Sequence, residues 1–130
     1  MRTAPPGRPA SAELEDRVAQ FAARAISVCE ALPERTGAAH LRDQLFRSAT
    51  SVAANYAEAS VPESRKDFAH KIGIALKELV ESRMWLRIIA LKQYVEPQAL
   101  AKLLAEADEL VRIFNASVKT ARQRLADEKA

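Results

Sequence analysis

Two pairs of glutamates stand three residues apart, Glu78 with Glu81 and Glu106 with Glu109. On a helix that spacing puts both carboxylates of a pair on one side, and clustered carboxylates are the donors that a hard cation such as magnesium takes. Asp67 and His70 repeat the spacing with a histidine. Di-iron bundles use that pair twice over, with a glutamate from each of two further helices. The chain has two histidines, and His40 has no carboxylate at the matching position, so no such metal centre is expected. Cys29 is the lone cysteine, which excludes an internal disulfide; it reads as a small core residue rather than a reactive thiol. There is no glycine-rich phosphate loop, no H-E-x-x-H and no nucleophile beside a base, so no catalytic residue, metal or cofactor is expected.

The other chemistry is cationic. The net charge is +3, but it is unevenly spread: residues 110–126 hold Arg112, Lys119, Arg122 and Arg124 and no acid, while residues 11–109 are slightly acidic. Basic residues near a helix C-terminus can serve only to offset its dipole. They can equally form a phosphate-binding patch for RNA or DNA, with Arg65, Lys66 and Lys71 as further candidates.

The elements that position these residues are helices. Ala, Leu, Arg, Glu and Lys make up 71 of the 130 residues, against 3 glycines and 7 aromatics. That composition disfavours sandwiches, barrels and glycine-looped nucleotide folds. Residues 1–10, with Arg2, Arg8 and three prolines, read as a flexible tail; they carry no apolar run, so no signal peptide is expected. Residues 11–130 read as one domain. Nothing approaches about 18 uninterrupted apolar residues, so no membrane span is expected and the location reads as cytoplasmic.

Four apolar seams recur at helical spacing. The first, behind a cap at Ser11, is Leu14, Val18, Phe21, Ala25, Val28 and Leu32, stopped by Pro33. The second, over residues 38–60, is Leu41, Leu45, Ser48, Val52, Tyr56 and Ala59; residues 48–57 carry no charge, which predicts a helix enclosed on several sides. A capping box, Ser64 with Asp67, opens the third, with Phe68, Ile72, Ala75, Leu79, Ser82, Leu86 and Ile89 inward. Pro97 opens the fourth, whose inward row is Leu100, Leu103, Ala107, Leu110, Phe114, Val118, Ala121 and Leu125. Short connections between them predict an all-α, antiparallel up-down-up-down four-helix bundle.

The third helix has a second apolar stripe opposite its seam, containing Val80, Met84, Ile88 and Leu91 with Trp85 beside it. A monomeric bundle needs one apolar face per helix, so this stripe predicts a homo-oligomer interface. Relative to the seams, Glu81 and Glu109 point outward and Glu78 and Glu106 lie at the flanks, so the four carboxylates are not expected to converge. The pairs loosely resemble the magnesium-binding pattern of all-α nucleoside triphosphate pyrophosphatases, which is the alternative functional reading. On the second helix Ser51, Asn55 and Glu58 share one side, and Glu58 is expected to meet Arg83.

Residues 45–58, LFRSATSVAANYAE, resemble the S-[IV]-x-x-N-x-A-E helix of the four-helix bundle proteins encoded by intervening sequences in 23S ribosomal RNA genes. The likeness continues through residues 64–68, SRKDF, and 77–87, KELVESRMWLR, and spans about residues 14–114. Where many members carry glycine after the signature glutamate, this chain has Ala59. The resemblance implies a small bacterial protein, an oligomer that in some members is a pentamer, and no catalytic residues. It also implies a kinship with the accessory variability determinant of diversity-generating retroelements, a partner of a reverse transcriptase and of nucleic acid. Ser51, Asn55 and Glu58 match the signature, in a structural or interfacial role.

Overall fold

The computed structural model describes residues 10–129, with side-chain surroundings from residue 12. Helices α1 (Ala10–Ala31), α2 (Thr36–Ala59), α3 (Arg65–Lys92) and α4 (Pro97–Lys129) are joined by connections of four, five and four residues. Such short links force antiparallel neighbours. Each helix packs on the next, and α4 closes back on α1 along a lighter seam. The expected tail lies outside the described residues apart from Ala10, which already belongs to α1, so Ser11 falls inside the helix rather than capping it.

The seams read from periodicity are the core. Phe21, Leu45, Val52, Ile72, Leu79, Leu86, Ile89, Leu103, Leu110 and Phe114 are fully buried, each stabilising the fold by about 1.5 to 3 kcal/mol through removal from water. Alanines at Ala25, Ala49, Ala75 and Ala107 are buried as completely, which lets the helices approach closely. Leu14, Phe68 and Leu125 are only partly buried. All three sit at the same end of the bundle, where α1 and α3 begin and α4 finishes, so the packing opens there.

Helix ends are satisfied in three ways. The Asp67 amide donates to Ser64 Oγ at 3.0 Å, while Asp67 Oδ2 accepts from the Glu63 amide at 3.1 Å, one residue further back than a standard capping box. At the end of α1, which has no basic residue in its last turn, Arg42 arrives from α2. It donates to the carbonyls of Cys29 (3.2 Å), Leu32 (3.1 Å) and Pro33 (3.2 Å), covering acceptors the helix leaves open. Helix α3 stops at Gln93, whose backbone is left-handed (φ 55°, ψ 37°) and returns its amide to the Ala90 carbonyl at 3.1 Å. A side chain in that conformation costs about 1 to 2 kcal/mol, which glycine escapes. Gln93→Gly is therefore expected to raise the unfolding free energy by about 1 kcal/mol, measured by urea denaturation; a loss of stability would mean that the Gln93 side chain contributes contacts of its own.

Candidate functional site

Each glutamate pair grips one arginine from a neighbouring helix. Arg47 of α2 bonds Glu78 at 2.9 Å and also Glu81. Arg17 of α1 holds both oxygens of Glu106 (2.7 and 3.1 Å) and reaches Glu109 at 3.1 Å. The hydrogen bond to Glu106 is the main cause that raises the Arg17 guanidinium above its ordinary value. One set joins α2 to α3 and the other joins α1 to α4, so the four carboxylates stay apart, as their placement relative to the seams predicts. No group of three or more histidines, cysteines or carboxylates that could hold a metal ion occurs among the described residues.

The remaining titratable groups have local roles. Asp67 caps α3, and His70 beside it is exposed. His40 lies edge-on to Trp85, ring centres 6.1 Å apart, near the other end of α3. Cys29 is buried, its thiol donating to the Arg42 carbonyl at 3.5 Å, and burial raises its pKa, which disfavours the reactive thiolate.

The signature residues of α2 bond within their own helix. Asn55 Nδ2 donates to the carbonyl and the hydroxyl of Ser51, at 2.9 and 3.1 Å. The expected Glu58 to Arg83 pair does not form. Arg83 lies on the α4 side of α3 and bonds Asp108 at 3.3 Å, whereas Glu58, near the end of α2, is level with Lys71 and bonds it instead. The buried polar link between α2 and α3 is a serine pair inside the two seams: Ser82 Oγ donates to Ser48 Oγ at 2.8 Å, and both residues are fully buried. Its signal was two serines in otherwise apolar inward rows.

The candidate phosphate contacts divide into spent and unspent cations. Lys71 is bound to Glu58, Arg65 to Glu128 at 2.9 Å, and Arg112 stands 3.9 Å from Glu109. Lys66, Lys119, Arg122 and Arg124 are exposed and make no hydrogen bond or ion pair among the described residues. The acid-free run over residues 110–126 offers Lys119 and Arg122 no acid one turn away, while the two acids one turn beyond Arg124 are engaged elsewhere, Asp127 by Gln123 and Glu128 by Arg65. Lys119 and Arg122 line a hollow of about 500 Å³ between α3 and α4, floored by Leu76 and Val118. Arg122 lies over Gly73, its Nη2 3.8 Å from where a Cβ would stand.

The residues of the expected interface stripe divide between surface and core. Val80, Met84 and Leu91 are 40, 49 and 84% exposed. Trp85 and Ile88 instead pack against the core, Trp85 toward α2 with its indole N–H 3.4 Å from Glu81 Oε1. Phe46 on α2, 50% exposed, is an apolar surface residue that the seams did not single out. Along α2 Ser48, Ala49, Val52 and Tyr56 are buried, Thr50, Ser51, Ala53, Asn55 and Ala57 are half-buried and Ala54 is exposed, so within one chain the uncharged stretch is covered on its inner side and flanks and open at Ala54.

These features define a small all-α protein: an antiparallel four-helix bundle with seven acids tied into links between helices and, among the described residues, unpaired cations along the second half of α4. Residues 12–116 match the family model described as 23S rRNA-intervening sequence protein, and the chain belongs to that family. It is similar to a crystal structure from Bacteroides thetaiotaomicron described as a protein with unknown function from the S23 ribosomal protein family. The two are 28% identical and superpose with a TM-score of 0.74, covering 81% of this chain and 97% of that one. No curated protein matches the chain. No helix among the described residues is long and apolar enough to cross a membrane.

Proposed function

We propose that the chain is a non-enzymatic cytoplasmic assembly and binding module. Copies associate through the α3 stripe of Val80, Met84 and Leu91 into a homo-oligomer, a pentamer on the family resemblance. The second half of α4 then takes the phosphates of RNA or DNA, alone or beside a reverse transcriptase. The observation that carries this reading is the contrast in charge use. Arg17, Arg47 and Lys71 are bound to acids of the bundle, whereas Lys119, Arg122 and Arg124 are bound to none among the described residues. Hydrated, unpaired cations along a helix bind phosphates by releasing counterions, with little dependence on sequence. An oligomer repeats that segment in every subunit.

The test is an electrophoretic shift of RNA and DNA at low salt, with the mass in solution read by light scattering. The expected result is a retarded complex that dissolves as salt rises, from a particle several times the 14.3 kDa chain. A monomer that retards neither nucleic acid would end this reading. The pyrophosphatase alternative predicts magnesium-dependent phosphate release abolished by Glu78→Gln. With Glu78 and Glu106 each engaged by an arginine on separate seams, background release is expected.

A further inference from the structure

The open end of the bundle holds a concave groove of about 710 Å³ on the face of α4 opposite the Lys119 and Arg122 hollow. Its position follows from the helix lengths. Arg17 meets α4 at Glu106 and Glu109, and α1 begins only seven residues earlier, about 10 Å along its axis. Helix α4 continues for 20 residues past Glu109, about 30 Å, so its last turns run beyond the start of α1. Among the described residues, what remains beside them is the connection into α3. Pro62 and Phe68 form an apolar floor, Ser117 and Thr120 supply hydroxyls from α4, and Arg65 and Arg124 stand at the rim. Phe68 packs against the core and also lines the groove.

Resting on the nucleic-acid reading above, we propose that this groove takes an unstacked base of a single-stranded nucleic acid, stacked on Phe68, with its phosphate held between Arg124 and Arg65. The volume lies within the range of sites that enclose small ligands, and an apolar floor with a few polar groups at the rim is their usual make-up. Charge complementarity selects an anion: Arg124 has no partner among the described residues, and Arg65 is restrained by one exposed carboxylate, Glu128, at 2.9 Å. A planar anion is favoured over an acidic helical peptide because the floor offers one aromatic ring rather than a row of pockets one turn apart. A duplex keeps its base faces stacked, so only a single strand offers a face to Phe68. Lys119 and Arg122, across α4, give the adjoining backbone a continuing cationic track.

The experiment uses the full chain with a 12-nucleotide RNA carrying 2-aminopurine, single-stranded or annealed to its complement. A rise in 2-aminopurine fluorescence is expected on single-strand binding, as the base leaves the stack of its neighbours, with unlabelled duplex a poor competitor. Thr120→Trp, a change at an exposed position that fills the groove, and Phe68→Leu, which removes the ring, are each expected to weaken single-strand binding roughly 5- to 150-fold and leave duplex binding within about twofold. Because Phe68 also packs on the core, its variant is read beside a thermal melt. Glu128→Gln, which frees Arg65, is expected to tighten single-strand binding about fourfold. Single-strand affinity unchanged in Thr120→Trp and in folded Phe68→Leu overturns the groove while leaving phosphate binding by the unpaired cations of α4 intact. A light-scattering mass altered by Thr120→Trp assigns the groove to a second copy and also overturns it. No binding to either nucleic acid by the unaltered chain overturns both readings.

Discussion

Replacing Phe114 with alanine is expected to lower the unfolding free energy by about 3 to 5 kcal/mol, a large share of the roughly 5 to 15 kcal/mol that holds a domain of this size together. Phe114 is fully buried at the centre of α4. Its ring stacks on Tyr56 of α2, with centroids 5.4 Å apart and planes inclined by 18°, across the interior of the bundle. Neighbouring helices meet along their flanks, so this ring pair is one of the contacts that tie α2 to the helix diagonally opposite. Truncation leaves a cavity that four helices joined by short links cannot easily close. A urea denaturation loss below about 1 kcal/mol would show that the interior relaxes around the gap. Tyr56 adds a pH signature. Burial, with a smaller contribution from the charge of Glu15, raises its phenol above the ordinary value of 10.0. The fold therefore favours the neutral phenol: this contribution is complete below pH 10 and is lost as pH climbs through the raised folded value. Tyr56→Leu is expected to flatten the alkaline fall in stability.

The second large effect is on binding. Changing Lys119, Arg122 and Arg124 together to glutamine is expected to weaken RNA binding on the order of 50-fold at physiological salt. It should also reduce the slope of log affinity against log salt by about 2, because each single-strand phosphate contact contributes roughly 0.7 to that slope. Stability should hardly change, since all three are exposed and make no hydrogen bond or ion pair among the described residues. Changing Arg17, Arg47 and Lys71 instead should leave the slope unaltered and loosen links between helices. A slope unmoved by the first triple, or moved equally by the second, would show that the sequestered cations are as available as the free ones.

The inward rows were legible because helical periodicity states which side of each helix faces its neighbours. Leu45, Ser48, Leu79, Ser82 and Phe114 all sit where that spacing places them. Periodicity does not state which neighbour lies to the left of a helix and which to the right. Two residues at equal angles either side of a seam look alike, so position along the sequence pairs Arg83 with Glu58, whereas it faces Asp108 on α4. The same gap hid the partners of the glutamate pairs: that they would not converge was legible, that Arg17 and Arg47 would hold them was not. Phe46 follows the seam residue Leu45 directly, and only the assembled bundle shows how far its ring is left in water. Arg42 was invisible for another reason, since a cap supplied by the next helix leaves no mark near the carbonyls it covers. The basic segment was legible as composition, whereas the division into paired and unpaired cations needed coordinates.

The most direct test of the account is the affinity of the unaltered chain for a single-stranded RNA measured between 50 and 200 mM salt. Three phosphate contacts per subunit, from Lys119, Arg122 and Arg124, predict a log-log slope of about −2 or steeper. Affinity independent of salt, or no detectable complex at 50 mM, would contradict it.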